Sequence, residues 1–392
     1  MLIEIHMIQN HSPANLNRDD LGAPKTCVFG GVTRARISSQ CLKRSIRRSP
    51  EFAVALEKDG GVRTRRLISM LAAAAVPGGD KSKLEQKLKL VKAAFDKGGL
   101  KVDEKNKDDP NSTDMLVFVP TSTVANMVDK VKAATSADSL CDALTEVFAG
   151  KPIVPDIALC GRMTEVSGGG KFGDVNFSVE AALSAAHAFS THAVINEVDY
   201  YTAADDNPRG HGAGFVGEAM FNSACFYKHF AIEFDQLVKN LSKDAKTPTE
   251  EEVNLARTTI KCFLEGAAKA NPSGKQHSFA AFNFPDAILV EVKTNNTPVS
   301  YANAFADPVN EKSERGLIGE SVAKLASYAN DLITGYGIEA KRFYFSPNNR
   351  IKLDDEADAV APPIKGATAN GDFNKFVNTV MEAVKAPAKE AK

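Results

Sequence analysis

Segments of strand composition lie at both ends of the chain and enclose a middle that reads as helix, and this arrangement restricts the fold more than any single motif. Leu2 to Gln9 is β-like and is followed by His11-Ser12-Pro13, which predicts an opening strand that gives way to a loop. Phe226 to Phe234, Ala287 to Val292 and the shorter Lys341 to Ser346 have strand composition too. A long helix is expected before the last of these, capped near Gly335-Tyr336-Gly337. Between the ends, residues from about 60 to 190 read as mostly helical. Leu84, Leu88, Val91 and Phe95 form a stripe at i, i+4, i+7, i+11 there, and the polar stretch from Asp103 to Pro110 reads as a surface loop. Phe373, Phe376, Val377, Val380, Met381 and Val384 predict a final amphipathic helix before the tail Ala386 to Lys389. The expectation is an α+β domain with a large insertion.

A chain of 392 residues with 43% hydrophobic content can bury a sizeable core. Its 48 Lys+Arg nearly balance 49 Asp+Glu, so any contact with a polyanion must come from a local concentration of charge. Met1 to His6 meets an acid early and lacks the apolar stretch of a secretory signal, and no later run is long enough for a membrane span. A cytoplasmic protein with no membrane partner is expected. The six cysteines contain no CxxC pair, which argues against a zinc ribbon or a disulfide framework.

The concentration of charge lies near the N-terminus. Between Asn17 and Arg48 stand eight cations (Arg18, Lys25, Arg34, Arg36, Lys43, Arg44, Arg47, Arg48) against Asp19 and Asp20 alone. Ser38 or Ser39 can cap a helix whose Leu42 and Ile46 share one face and which Pro50 would stop. Lys43 with Arg47, and Arg44 with Arg48, then form two cationic ridges beside that face. Such a helix suits a phosphate chain, because each neutralised phosphate releases condensed counterions, while Ser38, Ser39 and Gln40 add hydrogen bonds. Gly30-Gly31 ahead of it would allow a backbone to approach closely. A solvated surface helix satisfies the charge pattern as well, so the order of residues has to decide.

That order, HSPANLNRDD from His11 and VFGGVTRARISSQCLKR from Val28 to Arg44, resembles the backbone subunit of the type I-E CRISPR Cascade complex, the CasC/Cse4 family. Further stretches resemble the same family in the same order: Ile157 to Met163, Ala185 to Ala188, Thr191-His192, Asp199 to Asp206 and Phe279 to Asn283. The resemblance implies an RRM-like (modified ferredoxin-like) palm with a helical fingers insertion and a thumb hairpin. Palm would fall at residues 1–58 and 226–392, fingers at 59–184 and the thumb region at 185–225. It implies a non-catalytic protein without a cofactor or metal, stacking head to tail along the guide (crRNA). Partners would be that RNA, target DNA, the Cas5e end cap, the small subunit Cse2 and the large subunit Cas8e.

By the same resemblance, Arg18, Lys25, Ser38, Gln40, Lys43, Arg44 and Arg47 match positions that hold the guide backbone, with Arg34 and Arg36 as neighbours. In the Gly161-Arg162-Met163 run, Met163 matches an apolar wedge against a base, with Arg162 beside it. Tyr201-Thr202 matches the thumb position that kinks the guide; Asp206 to Gly214 departs from the family pattern. Lys130 and Lys132 correspond loosely to lysines that touch target DNA.

Other motifs carry less. Gly212 to Gly217 fits GxGxxG but follows no apolar strand, and Ser167 to Lys171 has Phe172 where a phosphate loop needs Ser or Thr. His187 and His192 lie five apart and do not share a helical face, so both read as structural. Asp19 and Asp20 leave one enzymatic alternative, a metal-dependent endoribonuclease of a related CRISPR class.

Overall fold

The computed structural model describes residues 1–103, 105–163, 170–174, 178–203, 215–348, 351 and 363–385. The thumb tip Asp206 to Gly214, most of the Ser167 to Lys171 run and the tail Ala386 to Lys389 lie outside them. The chain divides into two compact units. One comprises residues 1–53, 184–234 and 257–392; the other comprises 54–183 and 235–256. Residues 235–256, which the sequence reading gave to the palm, belong to the helical unit, and residues 185–225 belong to the sheet unit.

The first unit is built on a mixed sheet, so the α+β expectation holds. β1 (Leu2–Ala14) is central, antiparallel on one side to Phe215–Glu233 and on the other to Ala287–Lys293. Lys341–Phe345 extends the sheet beyond Ala287–Lys293, and Ala367–Asn370 closes that side in parallel. On the opposite side Ala188–Ser190 joins Phe215–Glu233 to the hairpin of β2 (Thr26–Phe29) and β3 (Val32–Ile37). β1 does not stop at His11 as the sequence suggested. It runs through Ser12-Pro13 with a register shift between His11 and Ala14, which is how a strand accommodates a residue that cannot donate to the ladder.

β1 reads as a buried strand because both of its faces are covered. Ile8, Tyr227, Leu289 and Tyr344 meet the helix Gly316–Tyr336 on one face, and that helix ends at Gly337 in the left-handed conformation, as the sequence predicts. The same face buries Glu4 and Glu291, which pair with Lys293 and with Arg342 (2.6 Å) respectively. Glu4 also accepts from His229 at 3.1 Å and from the Val299 amide at 2.7 Å, so its buried charge is well compensated.

The second unit packs the helices Leu67–Ala75, Lys81–Gly98, Thr121–Ala133 and Ala137–Ala149 around Leu67, Leu71, Val91, Phe95, Leu144, Phe148 and Phe172, beside the short strand pair Gly61–Thr64 and Val117–Pro120. The predicted stripe sits on the helix Lys81–Gly98, which Asp80 caps and Gly99 terminates with φ of 89°. Lys87 donates to the carbonyls of Val131 (2.6 Å) and Ala134 (3.2 Å), closing the C-terminal end of Thr121–Ala133.

Burial makes the sheet unit sensitive to acid. The His11 imidazole is buried and its pKa is pushed down to about 3, first by desolvation and then by nearby Lys228. The unfolded chain takes up that proton near pH ~6.5, so the stability is fully present above that pH and is lost as pH falls towards the folded value. The loss at pH 5 is about 2 kcal/mol from this group. Urea titrations at neutral pH and at pH 5 should show a smaller drop for His11→Gln than for the native chain; equal drops would refute the assignment.

Candidate nucleic-acid interface

The β2–β3 turn is made by Gly30-Gly31, both with positive φ (61° and 79°), as a two-residue hairpin requires. A Cβ on Gly30 would lie 1.6 Å from the Ala306 oxygen, whereas Gly31 faces open space. The close approach read from the sequence as room for a ligand is, at Gly30, internal packing.

Arg34 and Arg36 stand two apart on β3 and have different fates. Arg34 is fully buried: its guanidinium donates to the carbonyls of Phe29 (3.1 Å), Ser190 (3.0 Å), Phe305 (2.8 Å) and Ala306 (3.4 Å). Its expected place among the RNA-facing cations is therefore corrected: it ties the hairpin to the rest of the sheet unit. Arg36 is half-buried, donates to the Thr26 carbonyl at 3.1 Å and lies 3.3 Å from His187 Nδ1.

The helix α1 (Ser39–Arg47) follows. Ser38 is its N-cap, accepting from the Cys41 amide at 3.3 Å, and Ser38's own amide donates to Asn17 Oδ1 at 2.9 Å. Ser38 is buried, so its first role is to fix the helix start. Leu42 and Ile46 are buried, each contributing about 2 kcal/mol, and Ile46 packs against Gly266. The opposite side presents exposed Gln40 and Arg44 and half-buried Lys43 and Arg47.

Opposite α1 the segment Asn17 to Gly22 folds into a turn in which Asp19 Oδ1 accepts from the amides of Leu21 and Ala23, both at 2.9 Å. Lys25 is tied in by its amide to the Asn17 carbonyl and by its carbonyl to the Arg36 amide, each 2.8 Å. Between this turn and α1 opens a cavity of about 530 Å³ lined by Arg18, Asp20, Arg44, Ser45, Ser273 and Gly274 among others. Sequence reasoning missed Ser45, Ser273 and Gly274. The last two lie far along the chain from the cationic segment, and no local pattern marks them.

The remaining predicted residues sit elsewhere. Glu197–Ala203 pairs with the start of Phe215–Glu233 as a hairpin, placing Tyr201 opposite Gly217 and Thr202 opposite Val216. Alternation therefore sends Tyr201 and Thr202 to opposite faces. In the helical unit Arg162 is buried, donates to the Phe118 carbonyl at 3.3 Å and has its pKa lowered to about 10 by desolvation. This corrects its expected place beside a base: Arg162 anchors the strand end. Met163, next to it, is 82% exposed, far more than a core methionine would be. Lys132 pairs with Asp129 at 3.2 Å and Lys130 is half-buried on the same helix.

Among the described residues one trio has metal-ligand spacing, Glu4, His6 and His229, within 4.8 Å of one another. The Lys293 ammonium already holds the Glu4 carboxylate, and His6 Nδ1 lies 2.9 Å from the Tyr227 hydroxyl, so the residues present do not fit a cation. Asp19 and Asp20 gather no third ligand among the described residues.

Residues 3–363 match the family described as CT1975-like protein. The chain belongs to that family. Among solved structures it is similar to a chain of a "CRISPR RNA-guided surveillance complex, pre-nicking", at 27% identity and a TM-score of 0.76, covering 98% of this chain and 100% of that one. A chain of a second "CRISPR RNA-guided surveillance complex" shares the fold at 23% identity and a TM-score of 0.56, with 98% and 99% covered. A comparison with curated proteins finds no match.

Arg34→Ala strands several buried carbonyls at once and should lower the free energy of unfolding by about 3 kcal/mol in urea. A loss below about 0.5 kcal/mol, the size of an ordinary surface change, would show that the guanidinium does not hold the hairpin.

Proposed function

We propose that the chain is the guide-binding backbone subunit of a type I-E CRISPR Cascade complex, polymerising head to tail along the crRNA. The observation that carries this reading is the cationic side of α1 beside an open cavity flanked by Arg18 and Arg44, in a chain similar from end to end to one from an RNA-guided surveillance complex. Lys25, Arg36, Gln40, Lys43, Arg44 and Arg47 supply phosphate and sugar contacts, while base pairing of the guide with target DNA supplies sequence recognition.

Exposed Met163 and the hairpin residue Tyr201 are suited to stack on unpaired bases and kink the guide at intervals. Lys130 and Lys132 would meet target DNA. Cas5e, Cse2 and Cas8e would terminate and flank the filament, since a head-to-tail contact does not close by itself. The subunit is proposed to be non-catalytic. Supporting this over the endoribonuclease reading, an Asp19 carboxylate oxygen accepts two amides of its own turn.

The purified protein should carry short RNA of uniform length, released steeply as salt is raised. Lys43→Ala with Arg47→Ala should cut RNA retention about tenfold for every guide sequence, and undiminished retention at high salt would remove α1 from the interface. Magnesium-dependent cutting of bound RNA, abolished by Asp20→Ala, would establish the endoribonuclease instead.

A further inference from the structure

The cavity between the Asn17 to Gly22 turn and α1 contains an acid as well as cations. Arg18 and Arg44 line it, and so does Asp20. Asp19 is engaged within its turn, but Asp20 is exposed and has no hydrogen-bond or ion-pair partner among the described residues. A carboxylate repels the phosphates that the arginines attract, so it opposes binding unless the ligand brings a donor to it. The sugar–phosphate chain of DNA has no hydrogen-bond donor. That of RNA has one in every nucleotide, the 2′-hydroxyl.

Part of the lining comes from a segment distant in the chain. Ser273 is exposed and Gly274 packs so closely that a Cβ would lie 2.4 Å from the Leu16 oxygen, which fixes this part against the segment leading into the turn. The next residue, Lys275, holds a left-handed conformation (φ 46°), as does Ala280 (φ 50°). A buried glutamine between them, Gln276, donates to the carbonyls of Pro272 (2.9 Å) and Ala281 (3.3 Å) and clamps the segment. Gln9, reaching from β1, donates to Asn271 Oδ1 (3.1 Å) and to the Asn283 carbonyl (2.6 Å), and accepts from the buried Lys228. Ser273 is thus presented from a rigid support, a condition for discriminating one hydroxyl.

We infer that this cavity reads the ribose: Arg18 and Arg44 take the phosphate, while Asp20, with Ser273 in the same lining, takes the 2′-hydroxyl, so that the subunit selects RNA over DNA of the same sequence. This rests on the guide-binding reading above and adds the sugar specificity.

The test uses the full purified chain with fluorescein-labelled single-stranded RNA, DNA of the same sequence, and the 2′-O-methyl RNA, whose A-form preference is kept while the donor is lost. The native chain should bind RNA about tenfold more tightly than either of the others, the scale of one hydrogen bond to a charged acceptor. Asp20→Ala should weaken RNA binding by most of that factor and leave DNA binding unchanged or tighter; Ser273→Ala should cost a smaller factor with the same selectivity. Arg44→Ala should weaken all three ligands alike. An RNA-to-DNA ratio that Asp20→Ala does not alter overturns the inference while leaving guide binding intact. Loss of the ratio in EDTA overturns it in favour of a bridging cation. RNA affinity untouched by Arg44→Ala overturns the guide-binding reading for this cavity, and the inference with it.

Discussion

The sheet unit depends on β1 pairing on both sides at once. Its partners, Phe215–Glu233 and Ala287–Lys293, are more than two hundred residues away along the chain, so the closure entropy of very long loops is met before these contacts form. What returns is a strand buried on both faces, with Glu4 compensated by Lys293 and His229 of the neighbouring strands and by the amide of Val299 in the segment beyond them. An ion pair so deep is costly if either partner is lost, and it therefore favours one register over its neighbours. Every feature of the cationic cavity inherits that register: the turn after Asn17 leaves the end of β1, and Gln9 on β1 supports the segment carrying Ser273 and Gly274.

Charge in this chain is sorted by tertiary structure into two kinds of work. Arg34 lies in the cationic run and Arg162 beside Met163 in a mostly apolar one, yet both are buried and donate to main-chain carbonyls. Arginine suits that task because its planar fork satisfies several acceptors from one position. Arg18, Arg44 and Gln40 remain in solvent, and Lys43, Arg36 and Arg47 are partly covered. The exposed cationic surface is accordingly narrower than the sequence implied, and buried Arg34 lies beside it. Gly30 shows the same division, its missing side chain serving contact with Ala306 and not a ligand.

The α+β layout, the α1 helix with its serine cap (Ser38 of the two candidates) and its Leu42/Ile46 anchor, the long helix ending at Gly337 and the helix from Phe373 were legible in the sequence, because periodicity, caps and glycine stops are local signals. So was the cationic segment, since charge needs no fold to be counted. Three things were decided only by tertiary structure. β1 continues past His11 because Phe215–Glu233 pairs with it there, which outweighs the Pro13 signal. Residues 235–256 join the helical unit, which no composition shift announces. The cavity joins Arg18 and Arg44 to Ser273 and Gly274, separated by more than two hundred residues and brought together by strand pairing and by the packing of Gly266 on Ile46 and Gly274 on Leu16. Local propensity fixes elements and charge, but burial and long-range pairing decide which of the charged side chains are left to meet a ligand.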